Sequence, residues 1–135
     1  GGRLWDAASW IGKSMLVKSN IATPDRTGAY AGELTLTKDS PGVTVDLVDG
    51  AGQVVKTLDL GAQKTGAVSF FWDGTNEAGD FVAGGAYEVR VPGATTSQVA
   101  TWASIAAIQS PASGSDAKLM TPLGNFTPAD ALRLG

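Results

Sequence analysis

Between Glu33 and Val91 apolar and polar residues alternate in short runs, each closed by a turn signal, and this pattern points to antiparallel β-structure. In Glu33–Lys38 the leucines Leu34 and Leu36 share one face, and in Val43–Val48 the residues Val43, Val45 and Leu47 do the same. A strand is predicted over Gln53–Leu60. Val68, Phe70 and Trp72 then share a face, as do Tyr87, Val89 and Val91. Pro41-Gly42, Asp49-Gly50-Ala51-Gly52, Gly61–Gly66, the polar loop Asp73–Asp80 and Pro92-Gly93 separate or end these runs. Five or six short strands in about 60 residues predict a small β-sandwich of the immunoglobulin or fibronectin type III kind.

The flanks have a different texture. Leu4, Ala7, Ala8 and Ile11 stand at helical spacing, Ser14–Lys18 reads as a strand, and Ser19–Gly28 is turn-like. Val99, Trp102, Ile105 and Ile108 fit a helical spacing, but Ala100, Trp102, Ser104, Ala106 and Ile108 fit alternation equally well. Lys118–Thr121 reads as a short strand. Thr127-Pro128-Ala129-Asp130 has a capping residue, a proline at the first helical position and an acid three residues after the cap, which predicts one helical turn. A last strand follows through Leu132 and Leu134. Each flank is too short to fold alone, and together they could close a small barrel. The expected organisation is therefore a discontinuous barrel of residues 1–28 plus 93–135, with a sandwich of residues 29–92 inserted in it.

Composition narrows the function. The 135 residues include no His and no Cys. A Ser-His-Asp or Cys-His nucleophile, an imidazole base, a His- or thiolate-ligated metal and a disulfide are all excluded. The net charge is −3, and no basic cluster exists to meet a phosphate backbone, so no nucleic-acid partner is expected. No apolar run approaches the roughly 18 residues of a spanning helix, so no membrane insertion is expected. Residues 29–92 hold four basic against nine acidic residues, and the flanks six basic against four acidic, which sets the middle apart as its own module.

Trp72-Asp73-Gly74 is the most conspicuous local feature. Trp72 ends a strand in the core, Asp73 is placed to bond turn amides, and Gly74 supplies a positive φ; a binding role for the loop is the alternative. Gly50 and Gly52 are assigned to a hairpin turn. Asp73, Glu77 and Asp80 do not make a calcium loop, because Ala78 stands where an EF-hand requires glycine. No catalytic, cofactor-binding or metal-binding residue is assigned. Trp10 and Trp102 are expected in the core. Trp5 is a candidate interface residue, with core packing as the alternative.

Three stretches carry a family resemblance. Ala8-Ser9-Trp10-Ile11-Gly12-Lys13-Ser14-Met15-Leu16-Val17, the hairpin Asp49–Leu58, and Phe70-Phe71-Trp72-Asp73-Gly74 followed by Gly79, Gly85 and Tyr87 resemble segments of the bacterial flagellar hook-capping family, FlgD. The resemblance implies an all-β chain, a small tudor-like (SH3-like) barrel with an inserted fibronectin type III or immunoglobulin-like sandwich, forming the C-terminal portion of a longer protein. It implies a non-enzymatic scaffold at the distal end of the growing hook that assists addition of exported hook subunits. The implied partners are the hook subunit protein and further copies of the cap protein. The implied place is the extracellular hook tip, reached by the flagellar export apparatus without a cleaved signal peptide. Two other readings compete on the residues alone: a secreted or surface sandwich binding protein or carbohydrate, and a small hydrolase using Asp73, Glu77 and Asp80.

Overall fold

The computed structural model describes residues 10–24, 29–82, 84–109 and 117–135. The expected N-terminal helical turn and Trp5 lie outside the described residues. Those residues are all-β apart from one short turn of 3-10 helix. The strands are β1 (Ser14–Lys18), β2 (Ile21–Ala22), β3 (Tyr30–Leu36), β4 (Ser40–Val48), β5 (Val54–Gln63), β6 (Gly66–Trp72), β7 (Tyr87–Arg90), β8 (Thr96–Ser104), β9 (Ala107–Gln109), β10 (Lys118–Thr121), β11 (Gly124–Phe126) and β12 (Arg133–Leu134). No helix among the described residues is long and apolar enough to cross a membrane.

The chain divides into two compact units, one of residues 19–101 and one of residues 1–18 with 102–135. In the central unit one sheet has the order β2-β7-β4-β5. A second sheet runs from the first part of β8 through β3 to β6. The inward residues are those the alternation marks: Leu34, Leu36, Val43, Val45, Leu47, Val68, Phe70, Trp72, Tyr87 and Val89 form one buried cluster. Tyr30 tilts against Phe70 at 5.8 Å, and Trp72 meets Tyr87 edge-on at 5.3 Å.

Pro41-Gly42, expected as a turn, lies within β4. The register slips between Ser40 and Val43, and that bulge absorbs a proline that has no N–H to give the ladder. The turn expected over Gly61–Gly66 is shorter: β5 continues to Gln63, and Asp39 ties the tight corner by accepting from the Thr65 amide and hydroxyl, each at 2.8 Å.

In the terminal unit β1 pairs antiparallel with β12, through Met15↔Leu134 and Leu16↔Arg133. β9, β10 and β11 form a separate three-stranded sheet. Met15, Val17, Ala103, Ile105, Ala117 and Leu119 fill the core, with Trp10 and Phe126 packed against it. Residues 98–108, ambiguous by spacing, are strands broken at Ile105-Ala106, where Ile105 donates to the Lys13 carbonyl and Ala106 to that of Met120. The 3-10 turn Pro128–Asp130 carries the expected capping box, with Asp130 accepting from the Thr127 amide at 2.8 Å. Among the described residues the sheets are open, and none closes into a barrel. Strands of two to five residues, with the chain passing between two separate sheets, leave too few ladder bonds for closure.

Candidate functional site

The most elaborated local structure is the loop after β6. Trp72 is fully buried, and its indole N–H donates to the Thr75 carbonyl at 2.8 Å. Gly74 has φ +84°, a conformation costly for any other residue, and its carbonyl accepts from the Val82 amide. Asp73 Oδ1 accepts from the Thr75 hydroxyl at 2.6 Å and from the Thr75 amide at 3.0 Å, and these two bonds hold its carboxyl below the usual range. One turn further on Asn76 Oδ1 receives the Ala78 and Asp80 amides, both at 3.0 Å. Thr75 and Phe81 close the loop as a single antiparallel bridge. The Asp73 and Asn76 side chains are thus both occupied by the loop's own amides.

The hairpin between β4 and β5 follows the same plan. Asp49 Oδ1 accepts from the Ala51 and Gln53 amides, and the Asp49 amide donates to the Gln53 carbonyl at 2.9 Å. Of the two glycines expected to carry the turn, Gly52 has the positive φ, +83°, while Gly50 sits in ordinary backbone.

The three acids of the loop do not converge. Asp73 is tied to Thr75, and Glu77 reaches across to β5, where it accepts from the Thr57 amide at 2.8 Å and pairs with Lys56 at 3.9 Å. Among the described residues no three His, Cys, Asp or Glu side chains are grouped to hold a metal. The loop carries Phe81, 72% exposed, and the outward face of β6 carries Phe71, 60% exposed, two apolar side chains open to a partner surface. Sequence reasoning missed both. Phe71 is nevertheless out of phase with Val68, Phe70 and Trp72, which is a readable signal. Phe81 has no such signal.

The FlgD Ig-like domain model matches residues 19–97. The chain belongs to the FlgD family. A FlgD crystal structure from Xanthomonas campestris, described as giving insights into "the hook capping essential for flagellar assembly", is 28% identical. It superposes with a TM-score of 0.80, covering 98% of this chain and 99% of that one. The basal-body rod modification protein FlgD of Salmonella typhimurium is 29% identical over 130 residues, which is 89% of this chain and 55% of that protein. The Escherichia coli K12 protein of the same name is 30% identical over 93 residues, 63% of this chain and 40% of its own length. The chain thus spans about half the length of the curated FlgD proteins it matches.

Proposed function

We propose that this chain is the part of a hook-capping scaffold that sits at the distal end of the growing flagellar hook and assists the addition of exported hook subunits. The observation that carries the reading is the likeness, over nearly all of both chains, to the Xanthomonas FlgD structure. We read the central unit, residues 19–101, as a fibronectin type III-like insert, wider than the expected 29–92 because β2 and the first part of β8 pair within it. Residues 1–18 and 102–135 are read as its discontinuous tudor-like host. The scaffold performs no bond chemistry. It presents rigid β-surfaces, and several copies acting together supply avidity through contacts that are individually weak enough to release. Its partners on this reading are the hook subunit and other copies of the cap protein. Its route outward is the flagellar export apparatus, and Trp5 is its candidate contact with the rest of the protein.

Deleting the gene for the parent protein tests the proposal. Cells without hooks and without motility, restored by the wild-type gene, are expected. Normal hooks in the deletion strain overturn it.

A further inference from the structure

β5 is the last strand of its sheet, and ten residues of unpaired edge are an invitation to a second strand. In this molecule the edge is already occupied by side chains of the same unit. The outward amide of Thr57 donates to Glu77 Oε1 at 2.8 Å, and Lys56 pairs with the other Glu77 oxygen at 3.9 Å. Two residues along, Asp59 Oδ1 takes the Gly61 amide at 3.0 Å. The Leu60 carbonyl receives the Gln63 side-chain amide at 2.7 Å. The register against β4 shifts at three places, and at two of them the extra residue lies on β5 and bends it. The bond to Glu77 differs from the others because it comes from outside β5, 20 residues along the chain, on a loop that Asn76 holds rigid.

We propose that Glu77 is a latch on a concealed strand-addition edge, and that the strand it excludes is β5 of a second copy. Identical edge strands can pair antiparallel about a two-fold axis, which needs only backbone donors and acceptors facing each other. The Thr57 amide lies near the middle of β5, where such a pairing would centre. A carboxylate on that donor removes it from the ladder and sets a negative charge where the incoming strand's carbonyls would lie. Opposite it, β6 has a wholly uncharged sequence, Gly66–Trp72, and among the described residues no comparable side-chain cap is seen on it. The Glu77 cap is thus a feature of β5 that the edge strand β6 lacks.

Glu77 has a side chain 65% exposed, so Glu77→Ala leaves the core intact. Two measurements on the 135-residue chain test the latch: sedimentation from micromolar to millimolar concentration, and amide exchange at Thr57. In dilute solution the Thr57 amide of Glu77→Ala should exchange about tenfold faster than wild type, as loss of a charge-assisted bond implies. As concentration rises the variant should dimerise more strongly than wild type and regain protection at Thr57. Glu77→Gln keeps an acceptor oxygen but not the charge, and should fall between wild type and Glu77→Ala in both measurements. A folded Glu77→Ala that associates no more than wild type overturns the proposal, and so does a dimer in which Thr57 stays unprotected.

Discussion

The Tyr30 hydroxyl lies 3.0 Å from Thr101 Oγ1, a buried bond between residues 71 positions apart. The direction of that bond follows from counting hydrogens. Thr101 has one hydroxyl proton, and it is aimed at the carbonyls of Ser19 at 3.1 Å and Ile21 at 3.0 Å. Tyr30 must therefore donate and Thr101 accept. The arrangement fastens β2 and its approach to β8 inside the central unit, with no buried polar side-chain atom left unpaired among the described residues.

Thr101→Val keeps the shape and removes both functions of the hydroxyl. It leaves the Tyr30 proton and two carbonyls short of a partner, so it should cost about 1–3 kcal/mol. Tyr30→Phe removes only a donor whose acceptor keeps its own bond, and should cost about 0.5–1.5 kcal/mol. Urea denaturation of the two single variants and the double variant measures both. The double variant should lose less than the singles together, because one bond is counted in each.

Burial pushes the Tyr30 hydroxyl up from 10.0 to about 12. Between those two values the unfolded chain loses this proton and the folded chain keeps it, so stability must fall as pH rises through that window. The full rise corresponds to about 2–3 kcal/mol, reached only above the folded value. Denaturation from neutral to strongly alkaline pH should show this decline, and Tyr30→Phe should reduce its slope. The remaining slope includes Tyr87, which burial also raises.

Gly32, in the centre of β3, makes room for this cluster. A methyl group there would stand 2.6 Å from both Phe70 Cζ and the Tyr30 hydroxyl, and 3.1 Å from the Ala100 carbonyl oxygen. Both rings are packed in the core, so neither can swing clear cheaply. Gly32→Ala should therefore destabilise by about 1–3 kcal/mol, although alanine suits a strand no worse than glycine does. A thermal melt with no loss relative to wild type would contradict this.

What the sequence reveals and conceals follows from the range of the interactions. The inward faces of β3, β4, β6 and β7 are legible because a half-buried strand writes its burial at period two, and Val68, Phe70 and Trp72 obey it. The Thr127–Asp130 turn is legible because capping is a matter of three or four consecutive residues. β8 and β9 are not, since small residues such as Ala100, Ala103 and Ala106 satisfy either period, and pairing, of β8 with β3 and of β9 with β10, decides the outcome. Gly32 looks like any glycine until Phe70, 38 positions away, is placed beside it. The Glu77 bond to Thr57 and the Tyr30 bond to Thr101 are tertiary in the same sense: each residue type is ordinary where it stands, and only the fold gives it a partner.

The loop after β6 should show its dependence on Asp73 most clearly in acid. The Thr75 hydroxyl and amide bond the charged carboxyl and hold it below its ordinary 3.8, so the folded state binds this proton less readily than the unfolded chain. The stability so gained is present above the ordinary value and is lost as pH falls through the lower, folded one. Asp73→Ala should lower the urea midpoint at neutral pH, and the gap to wild type should narrow in strong acid, where the wild-type carboxyl is itself protonated. Asp39, held down by the Thr65 amide and hydroxyl, and Glu88, held down by Arg90, give the variant a residual acid slope. Amide exchange locates the effect. Val82, whose N–H closes the loop on the Gly74 carbonyl, should lose protection in Asp73→Ala, while core amides of β3 change only with global stability. A gap that stays constant across the acid range would mean that the charge of Asp73 contributes nothing and that its role is steric.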